Sequence, residues 1–209
     1  DNLIEQKRYN FDKARKEYFQ LAQELSLKRK NASKDLDNSI KKELIPLKLD
    51  QAKFKTQINR LSEDNWSQEG LDDVKFEVVT NPEQEFMPIN KIASGGELAR
   101  FLLAIKVVMS NNINYKLLIF DEVDSGVGGQ TANAVGKRLK QLGEKNQTIV
   151  ITHSPQVAAL GKNHYIINKH KINGRIETNC HKISNENKIK KIARMLSGEN
   201  ITDQAREAA

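Results

Sequence analysis

An α/β chain with parallel core strands, antiparallel hairpins at the edges and a long amino-terminal helix is what this sequence predicts. Three patterns carry the prediction. A seam of apolar residues at seven-residue spacing runs through the first 45 positions, two alternating segments follow, and a strand–helix–strand succession lies between Lys116 and Thr152. Apolar residues gather between about Ile92 and Ile167, although the 209-residue chain is 29% charged with a mean hydropathy of −0.64. That length is enough for a core with an appendage, or for two small domains.

The first element is a helix. Ile4, Phe11, Ala14, Tyr18, Leu21, Leu25 and Ala32 fall on alternating three- and four-residue steps that pass through polar Lys7 and Lys28, and Leu36, Ile40 and Leu44 continue at four-residue spacing with no Gly or Pro before Pro46. A narrow apolar seam with charged flanks is the pattern of a coiled-coil helix, which needs a partner strand. An ordinary amphipathic surface helix is the competing reading. No second seam lies downstream, and the chain opens at Asp1 without a methionine and within the helical pattern. The expectation is therefore a segment of a longer protein, with coiled coil over residues 1–47 and a globular lobe over 48–209.

Two alternating strands come next. Ala52, Phe54, Thr56 and Ile58 interleave with polar residues, as do Val74, Phe76 and Val78, and an antiparallel pair is expected, with a turn at Asn81-Pro82. A helix should run from the Ser94-Gly95-Gly96 turn to Ser110. A short apolar strand at Lys116–Phe120, a helix from about Gln130 ending at Gly143, and a strand at Thr148–Thr152 then form a crossover joining parallel neighbours. The remainder reads as a hairpin, with Tyr165-Ile166-Ile167, an Asn173-Gly174 turn and Arg175–Ile183. A basic helix from about Asn187 to Leu196, stopped at Gly198, follows it.

Charge and cysteine content narrow the function classes. A net charge of +7 with pI near 9.3 suits an anionic partner such as nucleic acid or nucleotide, and equally a Lys- and Asn-rich proteome. The single Cys180 excludes an internal disulfide framework and fits a reducing cytosol. No apolar run approaches the ~20 residues of a membrane span; Phe101–Met109 is short and carries Lys106.

Three motifs carry chemistry. Ser94-x-x-Glu97 before an apolar helix has the form of a capping box, while Gly95 and Gly96 let backbone amides approach a phosphate at a helix start. A plain capped helix would look the same, but Ser-Gly-Gly-Glu followed by Leu98-Ala99-Arg100 is a more specific string. Asp121 and Glu122 end a buried parallel strand, where open α/β sheets place their ligands. Either they cap the following helix, or Asp121 holds Mg²⁺ while Glu122 polarises an attacking water. His153 ends the next strand and would share that rim, in reach of a γ-phosphate. The Gly-rich loop Ser125-Gly126-Val127-Gly128-Gly129 reads as a dimer-interface loop, or else as a flexible connection. His164, His170, Cys180 and His181 lack the paired spacing of a zinc site.

In this order, Ser94-Gly95-Gly96-Glu97, Asp121-Glu122 and His153 resemble the C-terminal lobe of an ABC-type ATPase head. With a coiled-coil helix ahead of them, they resemble the SMC-like branch used on DNA more than a transporter subunit. The strings Lys91–Arg100, Phe120–Gly129 and Thr152–Leu160 are similar to bacterial DNA-repair members of that branch. The resemblance implies a head built from both ends of a longer chain, whose amino-terminal lobe supplies a phosphate loop. No Gly-x-x-x-x-Gly-Lys-Ser/Thr string occurs in these residues. It also implies a homodimer sandwiching ATP and Mg²⁺, with Ser94, Gly95, Gly96 and Glu97 in the turn that meets nucleotide held by the opposite head. By the same resemblance Asp121 serves the metal, Glu122 the water, and Ser125, Gly126 and Gly128 line the dimer seam, with His153 as the switch histidine. Gly128 stands where many ABC proteins have aspartate, so that residue's cross-dimer contact is not expected. The implied setting is DNA double-strand break ends in the cytoplasm, at the nucleoid, with ATPase activity in the full-length dimer and none in this chain alone. A non-enzymatic coiled-coil DNA-binding module is the alternative from another class, and a transporter ATPase the third.

Overall fold

The computed structural model describes residues 2–110, 112–113, 115–172, 175–198 and 202–208, with backbone only at 172 and 203. The chain forms two compact units: residues up to Ile45 with Leu49–Ala93, and Pro46–Lys48 with the residues from Ser94 onward.

In the first unit, α1 (Asn2–Leu44) is one unbroken helix, about 65 Å long at 1.5 Å per residue, and Pro46 prevents its continuation. Its seam divides. Ile4, Phe11, Leu21 and Leu25 are exposed, whereas Ile40 and Leu44 are buried, with Ala22 and Ser26 from outside the seam, along a stripe that packs against β1 (Lys53–Arg60). Polar side chains lock that packing. Asp37 accepts from the Thr56 hydroxyl (2.7 Å) and amide (3.0 Å), and the buried Asp72 carboxylate accepts from Ser26 Oγ (2.9 Å) and Arg29 (3.3 Å). β1 pairs antiparallel with β2 (Asp72–Val79) in a register that sets Phe54 opposite Val78, Thr56 opposite Phe76 and Ile58 opposite Val74. Every apolar partner thus shares one face, with the Phe54 and Phe76 rings 5.3 Å apart. A two-residue strand, β3 (Met87–Pro88), extends this sheet beyond the expected turn, where the Gln84 amide bonds Asn81 O.

The second unit holds α2 (Gly95–Met109), β4 (Leu117–Asp121), α3 (Gly129–Lys145) and β5 (Gln147–Ile151), with β4 and β5 parallel. The crossover helix α3 covers one face of the pair, where Leu118 and Phe120 are buried, and packs on α2 and the short α4 (Pro155–Ala159). α3 and α4 approach closely because position 136 is Gly; a Cβ there would lie 2.8 Å from Leu160 Cδ1. β6 (Tyr165–Ile172) and β7 (Arg175–Lys182) form the expected hairpin as a separate two-stranded sheet, and the Asn173-Gly174 turn lies outside the described residues. Two helices follow: α5 (Asn185–Ser197), ended by Gly198 at φ +78°, and α6 (Asp203–Glu207). No helix among the described residues is long and apolar enough to cross a membrane.

One helix end departs from the sequence expectation. α3 runs through Gly143 to Lys145 because Asn146, not glycine, terminates it. The buried Asn146 side chain donates to Leu142 O (3.0 Å) and accepts from the Tyr115 amide (2.8 Å), tying the helix end to the residues before β4. Asn146→Ala removes both side-chain bonds and takes away the Tyr115 amide's acceptor, while Leu142 O keeps the Asn146 amide at 2.9 Å, so it should destabilise this unit by about 1–3 kcal/mol, measured by urea unfolding; a change below a few tenths would show the clamp is not used.

Candidate functional site

Parallel pairing decides where the acids and the histidine lie. Asp121 is registered against Ile151, and the Glu122 amide continues the ladder by bonding Ile151 O at 3.2 Å. His153 lies two residues past Ile151, so its imidazole is on the same carboxyl rim as both acids. The side chains of Asp121, Glu122 and His153 are exposed, and none makes a hydrogen bond or ion pair among the described residues. They are open to a ligand.

Glu122 has a left-handed backbone, φ +49°, a conformation that costs a non-glycine residue about 1–3 kcal/mol. Its consequence is steric. The chain leaves the strand abruptly there, sending Val123 and Asp124 into the core while the two preceding carboxylates remain at the surface.

Sequence reasoning did not single out Asp124, yet it is 1% exposed. Its Oδ2 accepts a short hydrogen bond from Thr152 Oγ1, which in turn accepts from the Ser154 amide at 2.9 Å. The loop after β4 is thereby tied to the loop that bears His153. Asp124 Oδ1 is buried without a partner among the described residues. The signal was present as a third acid within four residues beside a Thr-His pair, but a periodicity reading does not reveal which acid turns inward.

The 94–97 turn meets the same loop from another side. Ser94 caps α2, its Oγ accepting from the Glu97 amide at 3.3 Å. The reciprocal half of the expected capping box is not made among the described residues; Glu97 instead lies close enough to Arg100 to support its charge electrostatically. Gly95 faces open space, whereas a Cβ on Gly96 would come within 2.9 Å of Ser125 O. Arg100, buried one turn along α2, donates from Nη1 to that carbonyl at 3.2 Å. Burial pulls the guanidinium below its ordinary pKa, and Glu97 opposes the shift. Ser125 and Val127 amides bond Glu122 O (2.9 Å) and Asp124 O (3.3 Å), and Gly126 takes φ +72°. Gly128 is extended and precedes α3. The Gly-rich loop is therefore held at several points.

The basic run at α5 is largely engaged. Lys188 donates to Gly161 O (2.8 Å) and Ala159 O (3.3 Å), Lys190 pairs with Glu186 (3.1 Å), and Arg194 also has a partner. His164 bonds Gly161 O at 3.2 Å, and burial, with Lys188 close by, holds it below the ordinary histidine pKa. Among the described residues no three His, Cys, Asp or Glu side chains cluster as a metal site would require.

No family model matches the sequence. The DNA repair protein RecN of Rickettsia prowazekii is 40% identical over 193 residues, covering 92% of this chain and 34% of that protein. The chain is RecN-like over nearly its whole length. RecN of Vibrio cholerae agrees, at 41% identity over 87% of this chain and 33% of the relative, as does RecN of Halalkalibacterium halodurans at 36% over 87% and 32%. The RecN-like chain thus spans about a third of the length of the curated relatives it matches. Its fold is similar to part of an Smc head with coiled coil. The Smc head domain with a coiled coil and joint from Pyrococcus yayanosii superposes at TM-score 0.58 with 17% identity, covering 90% of this chain and 35% of that one. The Smc head with an extended coiled coil from Pyrococcus furiosus, bound to the C-terminal domain of ScpA, gives 0.52 at 17% over 93% and 46%.

The two glycines of the RecN-like turn should respond differently to alanine. Alanine gains roughly 1 kcal/mol of helix propensity over glycine at either position, but only at Gly96 does the methyl collide with backbone. Gly95→Ala should hold or raise the melting temperature and Gly96→Ala lower it by several degrees; equal shifts would contradict the packing described.

Proposed function

We propose that this chain is the C-terminal lobe, with the end of the coiled-coil arm, of a RecN-type ATPase head that hydrolyses ATP to control its hold on DNA at double-strand breaks. Residues 1–47 are the arm and 48–209 the lobe, working in the cytoplasm at the nucleoid. The observation that carries this reading is the rim of β4 and β5, where two uncommitted carboxylates and an imidazole face solvent together.

A second feature supports it. The face of β4–β5 not covered by α3 exposes Leu117, Ile119, Ile149 and Ile151, Ile119 to 61%. Parallel sheets are normally covered on both faces, so this surface fits the amino-terminal lobe of the same protein. Asp121 stands on that bare face, at its carboxyl end, where a phosphate loop would deliver nucleotide.

The chemistry follows from the residues. Asp121 offers a free carboxylate of the kind Mg²⁺ takes alongside phosphate oxygens and water. An ion held there would supply positive charge to offset that of the nucleotide phosphates. Glu122, held outward by its left-handed backbone, accepts a proton as the water oxygen bonds the γ-phosphorus and the bridging oxygen departs with ADP. His153 donates a hydrogen bond to a γ-phosphate oxygen and loses it when phosphate leaves. Ser94 and the Gly95 and Gly96 amides meet the γ-phosphate of nucleotide on a facing copy, with Glu97 completing the turn, while Ser125, Gly126 and Gly128 run along the seam between copies.

Two measurements decide the matter. In the full-length protein, Glu122→Gln should abolish turnover, by at least about 100-fold, and trap an ATP-bound dimer visible by light scattering; hydrolysis at the wild-type rate would remove Glu122 from its role. This chain by itself, without a phosphate-loop lobe, should show no ATPase activity, and measurable turnover would refute the division of labour between lobes.

A further inference from the structure

Arg100 is not accounted for by the chemistry above. It is 7% exposed, and among the described residues its side chain makes one hydrogen bond, to Ser125 O, and its Nε has no partner. A guanidinium carries five donors, so a side chain burying it for one carbonyl is poorly chosen for stability alone. An apolar residue of similar length would fill the space without desolvating a charge. What the arginine adds is a directed tether from α2 to the loop behind the acids.

That tether lies within a continuous set of contacts. Gly96, one turn before Arg100 on α2, abuts the same Ser125 carbonyl so closely that no side chain fits between. Ser125 is bonded to Glu122 O, and its neighbour Asp124 is bonded to Thr152 next to His153. The 94–97 turn, the acids and the histidine are thus joined through residues 124 and 125.

We infer that Arg100 is a positioning residue that couples the two nucleotide sites of the head dimer, making the 94–97 turn and the 122–128 loop move as one body. This rests on the reading above, in which the turn serves a facing copy's ATP and the acids serve the copy's own. Filling one site then sets the position of Ser94 and Gly95, and through Arg100 the position of Glu122 and His153 at the other. The phosphate-loop lobe binds nucleotide before dimerisation, so Arg100 influences turnover and cooperativity but not that first binding step.

The test uses the full-length protein with Arg100→Met, which keeps the bulk and removes the donors, and Arg100→Lys, which keeps a positively charged donor group. Arg100→Met should lower kcat about 10- to 100-fold, convert a sigmoidal ATP dependence to a hyperbolic one, and leave ATP affinity of the monomeric head within about twofold. Arg100→Lys should recover the sigmoidal response. Amide hydrogen exchange over 122–128 should quicken in Arg100→Met, and also in Gly96→Ala, whose methyl crowds the same carbonyl and Arg100 Nη1 while keeping the arginine itself. Wild-type kcat and sigmoidality in Arg100→Met, or unchanged exchange over 122–128 in both variants, would overturn the inference. The parent reading fails separately: if Glu122→Gln hydrolyses ATP normally, the site itself is wrong, whereas an inactive Glu122→Gln beside a normal Arg100→Met removes only the coupling.

Discussion

Parallel strands bring like ends together, and the hydrogen-bonded register of β4 on β5 is the constraint from which the rest of the site follows. With Asp121 opposite Ile151, both strands end at one level, and whatever leaves them is presented on a common rim. The pairing holds because α3 buries Leu118 and Phe120 against one face, and because Asn146 fixes where α3 ends and β5 begins. A register shift of one residue would exchange the buried and bare faces and carry Asp121 with them.

The two carboxylates are kept at the surface by backbone geometry. A left-handed Glu122 is an uncommon conformation, and it is compensated by the ladder bond to Ile151 O, the burial of Val123 and the hydrogen bonds of Asp124. Two neighbouring carboxylates repel each other without a cation between them, so the rim is arranged for a positively charged occupant rather than for stability in its absence. The loop beyond is rich in glycine yet anchored, its carbonyl at Ser125 gripped from α2.

Much of this was legible in the residues. Alternation at 52–58 and 74–78 revealed both the strands and their shared face, since a period of two puts alternate residues on the same side and a one-residue slip would reverse it. The strand–helix–strand spacing revealed the parallel pair, and with it the common rim. Local bonding was what periodicity left hidden. A two-residue strand at Met87 carries no repeat, α4 is a single turn begun by Pro155, and Gly143 is a helix-end residue that α3 passes because a side chain three positions later does the capping. Arg100, Asp124 and Thr152 were illegible for a related reason: a charged residue in an apolar helix and an acid among acids reveal their partners only once distant segments are brought together.

The long helix has a mechanical consequence. α1 is fastened to its unit through Arg15, Tyr18, Phe19, Ser26, Arg29 and Asp37, while the residues before Arg15 project past those contacts, about 20 Å at 1.5 Å per residue. A rod clamped along most of its length acts as a lever over the rest. A tilt of about ten degrees at the clamp sweeps the free end through roughly 4 Å, by the same helix geometry. Small rearrangements beneath the Asp37–Thr56 and Asp72 fastenings therefore become large excursions at the tip, where Ile4 and Phe11 stand ready to grip a second rod.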